Sequence, residues 1–177
     1  MHQLRTVEPT FVDSAPKRYV FETIVAAAPT EVFRALSADP STWTEWFPTV
    51  TDGGYEGAPP HGVGTRRWVK ATATRFRETV VEWDEPTTFT WRVDEASRAV
   101  ASALVERWTV ERAGAGSRVR WTFAIEPRLL FRLLVPAPAI SMKPVFTRAM
   151  RNLEARLGQA ANGAAGPGTP RRRRRRG

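Results

Sequence analysis

One acidic side chain interrupts an apolar strand face, and it is the candidate for acid–base chemistry. In the segment AVASALVERWTVER, Glu106 shares a face with Leu104 and Trp108, because side chains alternate along a strand. A carboxyl group buried on such a face has a raised pKa and can act as a general acid or base. It could equally lie at a cavity mouth, or pair with an arginine of a neighbouring strand such as Arg66 or Arg77, and its role would then be structural.

Other kinds of catalytic chemistry find no support in the sequence. The chain has no cysteine, which excludes disulfides, thiolate nucleophiles and cysteine-ligated metal. The two histidines, His2 and His61, fall in a leader and a loop, so a metal centre is not predicted. The glycine-containing stretch GAGSRVRW opens a strand and not a helix, so it is a turn and not a nucleotide-binding motif. No catalytic constellation emerges, and no cofactor is predicted.

Aromatic residues alternate along the strands on either side of Glu106. Trp91 shares a face with Phe89 and Val93, and Trp121 shares a face with Phe123. This pattern predicts an aromatic wall suited to a planar or apolar ligand, although a dry core without a cavity would show the same alternation. The predicted ligand-binding residues are Trp91, Leu104, Glu106, Trp108, Trp121, Phe123, Met142 and Phe146.

The order of the elements indicates how such a wall is built. A strand from Arg18 to Ala27 precedes two short helices, about six strands joined by short turns, and a long helix from Ser141 to Leu157. Short connections between consecutive strands favour antiparallel pairing. The sequence therefore predicts an α+β domain in which a curved antiparallel sheet of about seven strands wraps around the C-terminal helix.

The second short helix contains the stretch WTEWFP. Trp43 and Trp46 lie three residues apart and therefore on one side of a helix. We expect Trp46 to pack inward beneath the long helix. The stretch is thus predicted to be part of the core first and part of a cavity wall second.

Taken in order, these segments resemble the START/Bet v 1-like (SRPBCC) superfamily, and within it the polyketide cyclase/dehydrase and lipid transport group. The resemblance runs from about Tyr19 to Leu157, through VAAAPTEVFRALSADPSTWTEWFPTV, GVGTRRW, EWDEPTTFTWRV, ERWTVERAGAGSRVRWTFAIEP and AMRNLEARL. It implies a helix-grip fold with a cavity between sheet and long helix, in which members hold lipids, sterols, quinones or polyketides. Some members catalyse aromatic cyclisation or dehydration, but the family has no shared catalytic residue to carry over.

The two ends of the chain differ in composition from its middle. Residues 1–17 are predicted to be a loose leader, residues 18–158 the helix-grip domain, and residues 159–177 a flexible linker with an arginine-rich tail. The formal net charge is +9. Six of the positive charges come from the tail residues Arg171, Arg172, Arg173, Arg174, Arg175 and Arg176. The tail could contact a polyanion or an anionic membrane through phosphate groups, or be a solvated terminus.

The sequence favours a cytoplasmic location. It contains no apolar run long enough to span a membrane and no secretory signal. The stretch PRLLFRLLVPAP, residues 127–138, could dip into a membrane interface and give a membrane-peripheral location, or could pack as the start of the long helix. The excess of arginine over lysine is typical of bacteria with GC-rich genomes.

The leading functional hypothesis is binding or transport of a hydrophobic small molecule, such as a lipid, quinone or polyketide, in a cavity between the sheet and the C-terminal helix. One alternative is an aromatase/cyclase or dehydratase acting on a polyketide-like substrate, with Glu106 as the candidate acid or base. The other is a nucleic-acid or membrane-surface adaptor that works through the arginine tail. No specific protein partner is predicted.

Overall fold

The central feature of the fold is one antiparallel sheet. A computed structural model describes residues 1–128 and 138–164 of the chain. The strands are β1 (His2–Gln3), β2 (Lys17–Val25), β3 (Val50–Tyr55), β4 (Arg66–Ala71), β5 (Thr74–Asp84), β6 (Thr88–Ala96), β7 (Ala101–Ala113) and β8 (Gly116–Pro127). The helices are α1 (Phe11–Ser14), α2 (Pro29–Ser37), the 3-10 helix η1 (Pro40–Glu45) and α3 (Pro138–Ala164).

The sheet is curved and open. Its strand order is β2-β8-β7-β6-β5-β4-β3, and β1 adds to β6 outside this path. The outermost strands β2 and β3 are joined in sequence by α2 and η1, while α3 packs against the inner face of the sheet. The predicted α+β helix-grip fold, with a curved antiparallel sheet, two short helices after the first long strand and a long C-terminal helix, is confirmed.

The two short helices are set by local sequence signals. Pro29 starts α2, and the Glu31 carboxylate accepts a hydrogen bond from the Ala28 amide at 2.9 Å. Asp39 caps η1 by accepting a hydrogen bond from the Ser41 amide at 3.0 Å. A Cβ atom at Gly53 would lie only 2.8 Å from Cβ of Pro40, so glycine at this position lets η1 lie directly on β3.

Helix η1 and the residues after it fill one end of the space beneath the sheet. The Trp46 side chain is 1% exposed, and its backbone carbonyl accepts a hydrogen bond from Asn152 of α3 at 3.2 Å. Trp43 packs against Trp46 with ring centroids 4.9 Å apart. The predicted inward position of Trp46 beneath the long helix therefore agrees with the structure.

The prediction of a loose leader is wrong for most of residues 1–17. Strand β1 pairs with β6, α1 covers the outer face of the sheet, and Leu4, Val7, Phe11 and Val12 are buried. We call residues 2–15 the N-terminal strap. Its last three buried residues pack on Ala103, Val105 and Ala124. These apolar residues of β7 and β8 face outward, and the strap packs over them because burial of apolar surface is favourable.

The long helix extends beyond both predicted ends. It runs from Pro138 to Ala164, so residues 159–164 are helical and not a linker. Gly158 lies inside the helix, because a single glycine costs only about 1 kcal/mol there and the following alanines favour helix. Pro144 lies in the second turn, where it removes one helical hydrogen bond.

Two predicted features fall mainly or wholly outside the described residues. These are the apolar stretch within 127–138 and the tail Arg171–Arg176. Within the described ranges 1–128 and 138–164, no helix combines the length and the apolar character needed to cross a membrane.

Candidate functional site

A cavity of about 560 Å³ lies between the inner face of the sheet and the first turns of α3. Such a volume suits a small organic ligand. Most of its wall is apolar, and its polar lining residues include two glutamates and one arginine. The side chains around it are Trp43, Phe47, Thr49, Val50, Arg67, Val69, Ala71, Thr72, Thr74, Phe76, Glu78, Trp91, Val100, Leu104, Glu106, Trp121, Phe123, Ile125, Met142 and Val145.

The structure places most of the predicted ligand-binding residues on this wall. Six of them line the cavity: Trp91, Leu104, Glu106, Trp121, Phe123 and Met142. Trp108 and Phe146 do not, because they lie in the core beside it, 0% and 2% exposed. Trp108 stacks on Trp121 at 5.4 Å and packs edge-on against Trp43 of η1 at 6.2 Å, which leaves it no free surface.

The inner face of the sheet therefore has a filled end and a hollow end. At the filled end, aromatic rings from η1, β6, β7, β8 and α3 pack in contact with one another. At the hollow end, the sheet contributes smaller side chains such as Val69, Ala71, Leu104 and Ile125. Trp43, Trp91 and Trp121 lie where the two ends meet, since they pack in the core and also line the cavity.

A buried ion pair forms the polar end of the cavity, and the sequence analysis missed it. Arg67 of β4 and Glu78 of β5 are directly opposite in the strand register, and Arg67 Nε donates to Glu78 Oε2 at 2.7 Å. Both side chains are almost fully buried, at 1% and 5% exposed. Burial raises the pKa of Glu78, and the positive charge of Arg67 opposes that shift. The signal was the alternation, which places Arg67 on the face of Val69 and Glu78 on the face of Phe76 and Val80.

Aromatic rings surround the guanidinium group of Arg67. Its Cζ atom lies 3.9 Å from the ring centroid of Trp91, 5.2 Å from that of Trp43 and 5.3 Å from that of Phe89. These distances fit cation–π contacts. Among the described residues, Arg67 Nη1 and the indole nitrogens of Trp43 and Trp91 are buried and make no hydrogen bond. Three buried N–H groups at the polar end are therefore unpaired.

Glu106 lies on the same inner face and is hydrogen-bonded from the next strand. Trp121 Nε1 donates to Glu106 Oε2 at 2.9 Å. Burial raises the pKa of Glu106 to about 8, and the negative charge of Glu78 adds to this, while the Trp121 hydrogen bond and the charge of Arg67 oppose it. Glu106 is half-buried and lines the cavity. At neutral pH it is therefore mostly protonated and can donate a hydrogen bond.

The alternative pairing of Glu106 with Arg66 or Arg77 is wrong. Both arginines point to the outer face of the sheet. There, Arg66 Nε lies 3.7 Å from Glu56 Oε2, and Arg77 Nη1 lies 3.5 Å from Glu95 Oε2. The arginine that affects Glu106 is Arg67, whose side chain points inward because neighbouring residues of a strand face opposite ways.

A second arginine–glutamate pair lies on the outer face, under the N-terminal strap. Arg107 Nε donates to Glu82 Oε2 at 2.9 Å, and Arg107 Nη2 donates to Glu82 Oε1 at 3.0 Å. Arg107 Nη2 also reaches the Pro9 carbonyl at 3.3 Å, and Thr90 donates to the same glutamate. The outer pair is bidentate and joined to the strap.

Metal chemistry has no geometric basis in the part of the chain that the structure describes. No group of three or more histidine, aspartate or glutamate side chains there could hold a metal ion. His61 stacks on Tyr55 with ring centroids 4.2 Å apart, which accounts for its position in the loop before β4.

The family of the chain follows from comparison of its sequence with those of known proteins. The sequence model of a family described as polyketide cyclase / dehydrase and lipid transport matches residues 17–158. The chain belongs to this family. Its membership places it in the START/Bet v 1-like superfamily, so the resemblance seen in the sequence is confirmed.

Solved structures share the fold of this polyketide cyclase/dehydrase and lipid transport family member. A START superfamily protein from Mycobacterium smegmatis is similar with a TM-score of 0.61 and 15% identity, covering 81% of this chain and 98% of its own. The ginseng major latex-like protein from Panax ginseng gives a TM-score of 0.64 at 17% identity, covering 79% and 96%. A protein from Mesorhizobium loti has a TM-score of 0.62 and 18% sequence identity, and the match covers 81% of this chain and 98% of that protein. No curated protein matches the sequence. At such identities these structures support the fold and leave the ligand open.

Proposed function

We propose that this protein binds a hydrophobic small molecule, such as a lipid, quinone or polyketide, in the cavity between its sheet and α3. The observation that carries the proposal is the cavity of about 560 Å³ with its largely apolar wall. A carrier or binding protein needs a site of this kind, in which apolar contacts provide affinity and a few polar groups provide orientation.

The size of the cavity argues against a mere packing defect. Ligand pockets in proteins typically have volumes of about 300–1,000 Å³, and the cavity of about 560 Å³ falls within that range. Voids in protein cores are few and are rarely larger than a water molecule, about 30 Å³.

The test is to identify what the protein carries. We would purify it from its native host or a close relative, record native mass spectra, and extract it with organic solvent. A stoichiometric hydrophobic compound is the expected result. An apo mass, together with no binding from a panel of lipids, quinones and polyketides, would contradict the proposal.

A matched pair of variants ties any bound compound to the cavity. Leu104→Trp adds bulk to the cavity wall, where Leu104 is 3% exposed, and should reduce the bound fraction at least tenfold. Ile24→Trp adds similar bulk on β2, where Ile24 is 53% exposed, and should leave binding unchanged. Unchanged binding in Leu104→Trp would mean that the compound binds elsewhere, and equal loss in both variants would mean that the loss is not specific to the cavity.

A second candidate function is a cyclase or dehydratase acting on a polyketide-like substrate. The observation that favours it is Glu106, a carboxyl group that burial keeps protonated near neutral pH inside the cavity. Incubation of the extracted compound with wild type and with Glu106→Gln tests this. Conversion by the wild type that stops in Glu106→Gln supports the enzyme, and recovery of unchanged compound in both supports the carrier.

A further inference from the structure

We propose that the polar end of the cavity recognises a neutral carbonyl oxygen on the ligand, with Glu106 and Arg67 as the hydrogen-bond donors. The ligand class is then a quinone, ketone or enone, and not a pure hydrocarbon or a carboxylic acid. The inference rests on the proposed function, since it names the chemistry of the molecule held in the same cavity.

The donor count at the polar end is the first argument. Arg67 Nη1, Trp91 Nε1 and Trp43 Nε1 are buried, and none makes a hydrogen bond among residues 1–128 and 138–164. All three residues line the cavity, but these nitrogen atoms have almost no accessible surface, so a ligand oxygen reaches them only when neighbouring side chains shift. Buried N–H groups without partners are costly, so a ligand that brings an acceptor gains more here than one that brings a donor.

The second argument is the position of Glu106. Its Oε2 atom accepts the hydrogen bond from Trp121, which leaves Oε1 as the atom that can turn to the ligand. In the strand register Glu106 is directly opposite Trp91, and the Arg67 guanidinium lies over the Trp91 ring at 3.9 Å. The carboxyl and the guanidinium therefore both neighbour the Trp91 indole, and the ligand oxygen is assigned to the space beside that ring.

The third argument is charge. The charged groups that act on Glu106 are Glu78 of β5 and Arg67 of β4, and these two are paired with each other. The positive and negative charges of this pair cancel, and protonated Glu106 adds none. A carboxylate ligand would bring an uncompensated charge into a buried site, whereas a carbonyl group would not.

Three probes with one naphthalene skeleton test the inference by isothermal titration calorimetry at pH 7 and pH 9. They are 2-methyl-1,4-naphthoquinone, 2-methylnaphthalene and 2-naphthoate. The quinone adds the carbonyl oxygens, and its reaction with thiols is not a concern because the chain has no cysteine. We expect the quinone to bind about tenfold more tightly than methylnaphthalene at pH 7, and naphthoate to bind most weakly.

The pH dependence is the sharper readout. With the pKa of Glu106 at about 8, the protonated donor is mostly present at pH 7 and mostly lost at pH 9. The affinity for the quinone should therefore fall about tenfold between these pH values, while the affinity for methylnaphthalene stays constant. Glu106→Gln should keep quinone binding and lose this pH dependence, because the amide still donates and does not titrate.

A double variant tests the contribution of Arg67 without leaving a buried charge. Arg67→Met combined with Glu78→Leu removes both ions, and should reduce the preference for the quinone over methylnaphthalene at least threefold. The matched control, Arg107→Met with Glu82→Leu, removes the outer pair and should leave the preference unchanged. Circular dichroism of both double variants establishes that each is folded.

The outcomes separate this inference from the proposed function. If methylnaphthalene and the quinone bind equally and without pH dependence, the cavity binds ligands but the carbonyl preference is wrong. Tighter binding of naphthoate than of the quinone also overturns it. If none of the three probes binds, the inference falls, and the proposed function falls with it only when extraction also releases no compound.

Discussion

The two faces of the sheet each hold an arginine–glutamate pair, and the pairs are built differently. On the outer face, Arg107 holds Glu82 with two hydrogen bonds, and both side chains keep about a quarter of their surface exposed, at 21% and 27%. On the inner face, Arg67 holds Glu78 through Nε alone, and both are almost fully buried. The outer arginine also binds the strap, whereas Nη1 of the inner arginine makes no hydrogen bond in the described part of the chain.

This contrast indicates different roles for the two ion pairs. The outer pair satisfies its own hydrogen-bonding groups, which is what a structural tie requires. In the inner pair, Arg67 Nη1 makes no hydrogen bond. This pair also lines the cavity and lies near Glu106, the carboxyl group whose pKa is raised. A buried pair of this kind is weak evidence for stability, so its position at the cavity supports a role in recognition.

The largest expected effect comes from breaking the inner pair on one side only. Arg67→Met leaves the Glu78 carboxylate buried without its partner, and should lower the free energy of unfolding by about 3–5 kcal/mol. Urea unfolding followed by circular dichroism measures this. Adding Glu78→Leu should recover most of the loss, and a single variant as stable as wild type would show that the pair is not buried in solution.

The next effect comes from the carboxyl beside the inner pair and depends on pH. The native state keeps the Glu106 proton up to a pKa of about 8, whereas the unfolded chain loses it near 4.5. The unfolded state thus binds fewer protons between these values, and wild-type stability falls as the pH rises through this window. Glu106→Gln removes that loss and should be about 4–5 kcal/mol more stable than wild type at pH 9, given about 1.4 kcal/mol per pKa unit.

The same variant at pH 5 is the control for this prediction. Near that pH the native carboxyl is neutral, like the amide, so the two proteins should differ by less than about 1 kcal/mol. Parallel urea titrations at pH 5, 7 and 9 give the full profile. A difference that does not grow with pH would mean that Glu106 titrates at an ordinary pKa.

A smaller effect is expected when the outer pair is broken in the same way. Arg107→Met should cost about 1–2 kcal/mol, because Glu82 is partly exposed and water can replace the guanidinium. Urea unfolding alongside Arg67→Met gives the direct comparison. A cost equal to that of Arg67→Met would remove the distinction between the two faces.

The smallest effect sets the baseline for both pairs. Arg156 of α3 lies 2.6 Å from Glu45, with 36% and 56% of the side chains exposed. Arg156→Ala should cost less than about 1 kcal/mol, since solvent and salt screen exposed ion pairs. Urea unfolding at low and at high salt is the check, and a cost above 2 kcal/mol would point to a packing role for the arginine stem.

The fold and much of the cavity wall could be predicted because they rest on short-range patterns. Alternation along single strands was enough to place Trp91, Leu104, Glu106 and Trp121 on an inner face. Trp108 follows the same pattern and still lies outside the cavity, because its surroundings depend on where η1 packs. Tertiary contacts decide which end of the inner face is filled, and the alternation along a strand does not show these contacts.

The buried pair and the strap were missed for two different reasons. Arg66 and Arg67 are adjacent and chemically alike, so only the strand's orientation decides which one is buried. In the strap, buried residues such as Leu4 and Val7 occur without a regular period, and periodicity is the signal that a sequence reading uses. Their burial depends on the apolar outer face of β7 and β8, far away in the chain.

The hydrogen bond from Trp121 to Glu106 also makes the protein its own optical probe. An indole's fluorescence depends on nearby charge, and this indole nitrogen lies 2.9 Å from the titrating carboxyl. Trp43 and Trp91 line the same cavity, so three of the seven tryptophans meet whatever occupies it. The intrinsic emission spectrum can therefore report both the ionisation of Glu106 and the arrival of a quenching guest, with no dye attached.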